Sequence, residues 1–229
     1  MSLYAIGDLH LSIGKDKPMD IFGTRWENHT QKLREGFAAL HEDDVCVICG
    51  DLSWGMNLEE TVEDFRFIDS LPGKKIILKG NHDYWWCTAT KAKKMFAENG
   101  ITTVDILNNN FFEYKEYALC GTRGWFFEEE KGIEHDAKIM RREVLRLEAS
   151  LNAAGERKKL VFLHYPPLYQ QYRCPEILAL LKSHEVRLCC YGHIHGKSCG
   201  GAFRGWHDGT EYKLVSADFV NFTPVKIMD

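Results

Sequence analysis

VRLCCYGHIHG, residues 186–196, begins as a short apolar run and ends on two histidines one residue apart, fenced by glycines. The apolar half has the length and content of a buried β-strand. The second half is ambiguous alone, because glycine and histidine serve polar turns as well as metal sites. The pattern recurs, however. LYAIG (3–7) runs into GDLH, DVCVICG (44–50) into GDLSW, KKIILKG (74–80) into GNHD, and KLVFLH (159–164) into HYPP. Five strand-like segments therefore hand over to a polar block.

Amphipathic helical stretches fall at 25–40, 58–71, 88–100, 133–155 and 175–184. Strands alternating with helices point to βαβ units and a largely parallel, buried core. Residues 102–121, TTVDILNNNFFEYKEYALCG, depart from this: two or three strands around an Asn-rich turn and a charged one, with no helix between them. An antiparallel meander or hairpin inserted between two α/β halves is expected there. The tail from 203 to 228 reads as further strands and turns. The stretch EHDAKIMRREVLRLEAS is charged on one face, as a solvated outer helix would be. Without repeats, low-complexity tracts or linkers, a single domain over 1–229 is expected.

The chain's 229 residues, 45% hydrophobic and 27% charged, are ample for a well-buried core. A net charge of −4 disfavours general nucleic-acid binding, which usually needs a basic surplus. No stretch approaches the roughly 20 apolar residues of a membrane helix. The first strand leads straight into GDLH with no room for a cleaved signal, so a cytoplasmic location is expected. There the eight cysteines stay reduced. Cys46 and Cys49 form a CxxC, but residues three apart on a strand face opposite ways, as do neighbours such as Cys189 and Cys190. Neither pair can share an ion. Cys199, close to GHIH, is the one thiol to watch for a role at the polar blocks.

Ligand sites in open α/β sheets gather beyond the carboxyl ends of the strands, so all five blocks are expected on one rim. They supply carboxylates, imidazoles and a side-chain amide. Such a mixture suits Mn²⁺, Fe or Zn²⁺ better than Ca²⁺ and needs no thiolate.

The ordered series GDLH, GDLSW, GNHD, HYPP and GHIH, spanning residues 7–195, resembles the five-block signature of the calcineurin-like metallophosphoesterase superfamily. The resemblance implies an α/β fold, a four-layer αββα sandwich of two mixed sheets, with two divalent metal ions, Mn²⁺ first and Fe or Zn²⁺ as alternatives. It implies Asp8, His10 and His195 on one ion, Asn81, His164 and His193 on the other, and Asp51 bridging both. The implied activity is hydrolysis of a small phosphorylated substrate, a phosphomonoester or phosphodiester, through in-line attack by a bridging hydroxide. His82 would be the general acid, and Asp83 would either hydrogen-bond and orient its ring or cap a local turn. Arg123, following a strand-like ALCG, is either an exposed structural arginine or a side chain that reaches into the cleft and grips a phosphate. The aromatics Trp54, Tyr84, Trp85, Trp86 and Tyr165 either stiffen the ligand loops or wall a leaving group. A DNA nuclease shares this motif set, but the acidic balance argues against it. A non-catalytic scaffold would have lost ligands that are all present here. The loops at 11–28 and 121–135 are expected to decide monoester against diester, and oligomeric state leaves no signal.

Overall fold

Runs of Leu, Ile, Val and Cys can bury both faces of a strand, which suits a parallel sheet covered by helices on one side. The computed structural model describes residues 1–15, 17–126 and 133–229, and it divides the five runs between two sheets. In the first sheet β1 (Leu3–Ile6), β2 (Val45–Ile48), β3 (Lys74–Ile77) and β4 (Val104–Ile106) lie parallel in that order. The last strand of the chain, β13 (Val225–Met228), adds antiparallel to the outer edge of β1. The second sheet has β7 (Lys158–Leu163) between β6 (Tyr117–Thr122) and β10 (Leu188–Tyr191), all parallel. It is extended by β5 (Phe111–Tyr114) beside β6, and by β12 (Thr210–Leu214) and β11 (Gly205–His207) beyond β10. A small hairpin, β8 (Leu168–Tyr169) with β9 (Tyr172–Arg173), follows the HYPP block.

The period-2 alternation of each strand sorts its side chains into layers. Leu3, Val47 and Ile76 of the first sheet meet Leu160, Phe162 and Leu188 of the second in a core between the sheets. The alternate residues Ile6, Ile48 and Ile77 face outward, where α1 (His29–Phe37), α2 (Val62–Ser70) and α3 (Ala89–Glu98) cover them. Val161, Leu163 and Tyr191 face α4 (Ile133–Ala153) and α5 (Pro175–Ser183) on the far side. The result is the expected αββα sandwich. Cys46 lies in an outer core and Cys49 in the inner one, while Cys189 and Cys190 are divided the same way. Burial pushes the Cys190 thiol up to about 12, so these cysteines are structural.

Of the meander or hairpin expected at 102–121, a hairpin forms, and it takes in only the later part of the segment. β4 continues the first sheet in parallel beside β3, whereas β5 and β6 make a hairpin that belongs to the second sheet. The Asn-rich turn, with Asn109 at a φ of 64°, carries the chain from one sheet to the other. No helix is needed because this connection crosses between layers and does not return to its own sheet.

Register positions the rim. Ile6, Ile48 and Ile77 are paired side by side, and Leu163 pairs with Tyr191, so the polar blocks emerge level with one another. Beyond β1 the two sheets are tied together: the Gly7 amide donates to the Val215 carbonyl at 2.8 Å, and the Ala217 amide to the Gly7 carbonyl at 2.9 Å. Among the described residues no helix is long and apolar enough to cross a membrane. Phe162 is fully buried between the sheets, so Phe162→Ala should lower the unfolding free energy by about 3–5 kcal/mol. A fall in the urea midpoint at unchanged slope would record it.

Candidate metal centre

Past the strand ends the first two polar blocks stay zipped. The Asp8 amide donates to the Gly50 carbonyl, His10 to Asp51 and Leu11 to Leu52, each at 2.9 Å. To turn their side chains inward, Asp8, His10, Asp51 and His193 adopt left-handed φ values of 59°, 47°, 51° and 70°. Such backbone costs roughly 1 kcal/mol or more per non-glycine residue, and it collects where function over-determines it. Glycine is required where the backbones crowd the carboxylates: a Cβ at Gly80 would overlap the Asp51 side chain, and one at Gly192 would overlap that of Asp8.

All seven expected ligand residues meet on this rim. Asp8 and Asp51 are buried, and so are His10 and His164. His195 Nε2 lies 3.4 Å from both Asp8 Oδ1 and His10 Nε2. Asn81 Oδ1 lies 2.6 Å from His164 Nε2 and 3.0 Å from His193 Nδ1. Asp51 Oδ2 stands between the two groups, 3.7 Å from His10 Nε2 and 3.5 Å from His164 Nε2. The histidines are aimed by bonds on their far nitrogens. His164 Nδ1 donates to the Cys49 carbonyl at 2.9 Å, which leaves its Nε2 lone pair facing the site. His195 Nδ1 donates to Asp218 Oδ1 at 2.8 Å.

This donor set fits cations. A bare His164 Nε2 facing the Asn81 oxygen opposes two acceptors, an arrangement that a cation between or beside them completes. Burial, and then the charge of His164, hold His193 at about 3, while burial brings His164 down to about 4. Both are neutral near pH 7, the form in which imidazole binds metal. Burial, with Asp83 and Asp8 close by, pushes Asp51 well above the carboxylate range. Burial would push Asp8 up too, but the neighbouring His195, with His164 and His10, holds it well below. His195 opposes its own burial through Asp8 and Asp218 and rises to about 10.

Two expected contacts are corrected. Asp83 does not hold the His82 ring. Its buried carboxylate accepts from the backbone amides of Gly80 (2.7 Å), Leu52 (2.8 Å) and Asp51 (2.9 Å), and from Trp85 Nε1 (3.0 Å). It staples GDLSW to GNHD. His82 instead has Nδ1 3.4 Å from the Tyr84 hydroxyl and its ring 4.6 Å from that of Trp54. Arg123 turns toward buried Glu143, with Nη2 3.4 Å from its carboxylate and the guanidinium over Trp125. Its backbone carbonyl, not its side chain, serves the site by accepting from the His164 and Tyr165 amides.

Of the aromatics, Trp85 and Tyr165 are buried packing, Trp54 borders the open cleft and Tyr84 is exposed. Asp218 is not among the expected residues, although SAD after a strand repeats the strand-then-carboxylate pattern of the other blocks. Neither is Trp26, which packs edge-on to both His10 and His195. Within the loops expected to set specificity, residues 16 and 127–132 lie outside the described residues. Removing the staple by Asp83→Ala would orphan several buried donors and should cost at least about 3 kcal/mol, measurable by chemical denaturation.

The family model described as calcineurin-like phosphoesterase matches residues 1–197. A search of curated proteins finds no match. Among solved structures, the phosphopantetheinyl hydrolase PptH of Mycobacterium tuberculosis aligns with a TM-score of 0.61 at 15% identity, covering 99% of this chain and 95% of that one. The protein TT1561 of Thermus thermophilus aligns at 0.53 and 17% identity, covering 85% and 82%. The Aquifex aeolicus protein of unknown function AQ665 aligns at 0.51 and 15% identity, covering 98% and 95%. These likenesses carry the fold. The family match over residues 1–197 makes the chain a member of the calcineurin-like phosphoesterase family, a phosphoester hydrolase.

Proposed function

We propose that the chain hydrolyses a small phosphomonoester or phosphodiester with two divalent ions held by the rim. The observation that carries this reading is Asp51 Oδ2, within 3.7 Å of one histidine set and 3.5 Å of the other. One carboxylate oxygen is thereby available to both sets. Asp8, His10 and His195 would hold one ion, Asn81, His164 and His193 the other, and Asp51 both. Mn²⁺ suits these donors best, with Fe or Zn²⁺ as alternatives. When bound, such a pair supplies an acidified water near neutral pH and a clamp for phosphoryl oxygens.

The protein's own residues supply the rest. The His82 amide donates to Asp51 Oδ1 at 2.8 Å, which fixes the ring beside the carboxylate shared by the two sets. Burial and the charge of Lys17 hold the His82 ring below its usual pKa. A phosphate dianion alongside would raise it again, so the ring gains its proton with substrate and passes it to the leaving oxygen. Asp218 orients His195 and keeps its Nε2 toward the ligands. The name of one structural neighbour, phosphopantetheinyl hydrolase, belongs to the same reaction class. The net charge of −4 favours small substrates over nucleic acid, and the free thiols fit a reducing cytoplasm.

With Mn²⁺ the protein should hydrolyse p-nitrophenyl phosphate or bis(p-nitrophenyl) phosphate and stop on chelation. No turnover with Mn²⁺, Fe²⁺ or Zn²⁺ would overturn the reading. His82→Ala should lower kcat by about 10²–10⁴-fold while both ions remain by metal analysis. A loss of metal would instead make His82 a ligand. Asp218→Ala should weaken metal binding about 10–100-fold in chelator competition, because the orienting partner of His195 is gone.

A further inference from the structure

Beside the proposed ligands lies a pocket of about 350 Å³ lined by Met19, Phe22, Trp26 and Trp54 together with His10, His82, His195 and Gly196. Three of these walls come from two 3₁₀ turns, Met19–Phe22 and Thr24–Trp26, that precede α1. Trp54 Nε1 donates to Met19 Sδ at 3.1 Å, so the indole spends its polar atom inside the wall. The Trp54 ring stacks on His10 at 5.1 Å and 23°. Met19 and Trp26 are buried, whereas Phe22 is 59% exposed.

We infer that this pocket receives the leaving group, and that the leaving group is an apolar alcohol. The inference rests on the phosphohydrolase reading above and adds the class of substrate. Hydrolysis breaks the bond between phosphorus and the alcohol oxygen; water oxygen takes that place on phosphorus, and the departing oxygen leaves as an alcohol with the proton from His82. Atoms attached to that oxygen lie next to His82, and the space next to His82 is this pocket. Apart from the imidazoles and the Lys17 ammonium over Trp54, a sugar or a charged group there would face mostly carbon and lose most of its hydrogen bonds to water without replacement, a costly exchange. A hexyl or phenyl group would lose nothing and gain burial. The volume is at the small end of ligand pockets, in keeping with a group of that size.

The test compares methyl phosphate, glycerol 3-phosphate and hexyl phosphate on the Mn²⁺-loaded protein, three esters whose alcohols differ little in acidity. Expected is a kcat/KM that rises on the order of fourfold for each methylene that enters the pocket, with the glycerol ester no better than the methyl ester. Phe22→Ser, a change at an exposed position, should reduce the hexyl-to-methyl ratio severalfold. Binding of hexylphosphonate and methylphosphonate to the same loaded protein, followed by tryptophan fluorescence, reads the pocket without turnover; the hexyl compound should bind at least about tenfold tighter. Equal binding of the two phosphonates, or equal kcat/KM for the three esters, overturns the inference. Tight hexylphosphonate binding with no ester hydrolysed supports the pocket and overturns the hydrolase reading instead.

Discussion

Two buried carboxylates, Asp8 and Asp51, share one dry rim with five imidazoles, and that crowding sets the terms for everything built around it. Ionised carboxylates cannot be left dry without compensating charge or hydrogen bonds. Asp8 finds part of its compensation within the protein, from the His193 amide at 3.0 Å and the protonated side of His195. Asp51 finds less: the His82 amide serves Oδ1, while Oδ2 faces imidazole nitrogens whose burial keeps them neutral or nearly so. The pressure on Asp51 to protonate is the electrostatic signature of a site built for cations. Divalent ions bound there would remove that pressure, and His164 already presents a bare nitrogen to the site.

Holding such a rim together falls to groups that never touch substrate. Asp83 accepts from two loops at once and so fixes the distance between Asp51 and Asn81. The Cys49 carbonyl ties His164, from the second sheet, to the end of β2 in the first. Asp218 takes His195 Nδ1 with one oxygen and the Gly196 amide with the other, both at 2.8 Å. Each of these is a connection between separate segments, so the left-handed residues at positions 8, 10, 51 and 193 are held by neighbours from the opposite side. The local conformational cost is offset by long-range bonds.

That distinction explains what could be read from the sequence. The strand-then-polar-block pattern is local: an apolar run, a glycine, then donors, and β-sheet register does the gathering. The gathering of the seven expected residues on one rim and the layered fold were legible for this reason. The staple made by Asp83 was not, because two of its partners are backbone amides about thirty residues away and amides leave no mark in a sequence. Arg123 was not, because buried Glu143 on α4 competes for its guanidinium. Asp218 reaches His195 only through the pairing of Gly7 with residues 215–217, a link between the two sheets that strand patterns do not reveal. The segment at 102–121 was legible only in part for a related reason. Its strand lengths and turns suit a meander as well as the hairpin that forms, and only the packing of β4 beside β3 assigns its two halves to different sheets.

The same contrast separates chemistry from selectivity in this molecule. The ligands stand on the ends of central strands, where paired backbone leaves little freedom, and precise placement there is what a two-ion site requires. The apolar walls of the adjoining pocket stand mostly on two short 3₁₀ turns between β1 and α1, joined to the rim by Trp54 and its bond to Met19. Short turns tolerate changes in sequence that strands do not. Of the three, only exposed Phe22 can be exchanged without touching the packing of the rim, because Trp26 packs on His10 and His195 and Met19 holds Trp54 against His10. On the proposed reading, phosphoester cleavage belongs to the strand ends, and the kind of alcohol released to a loop packed against them.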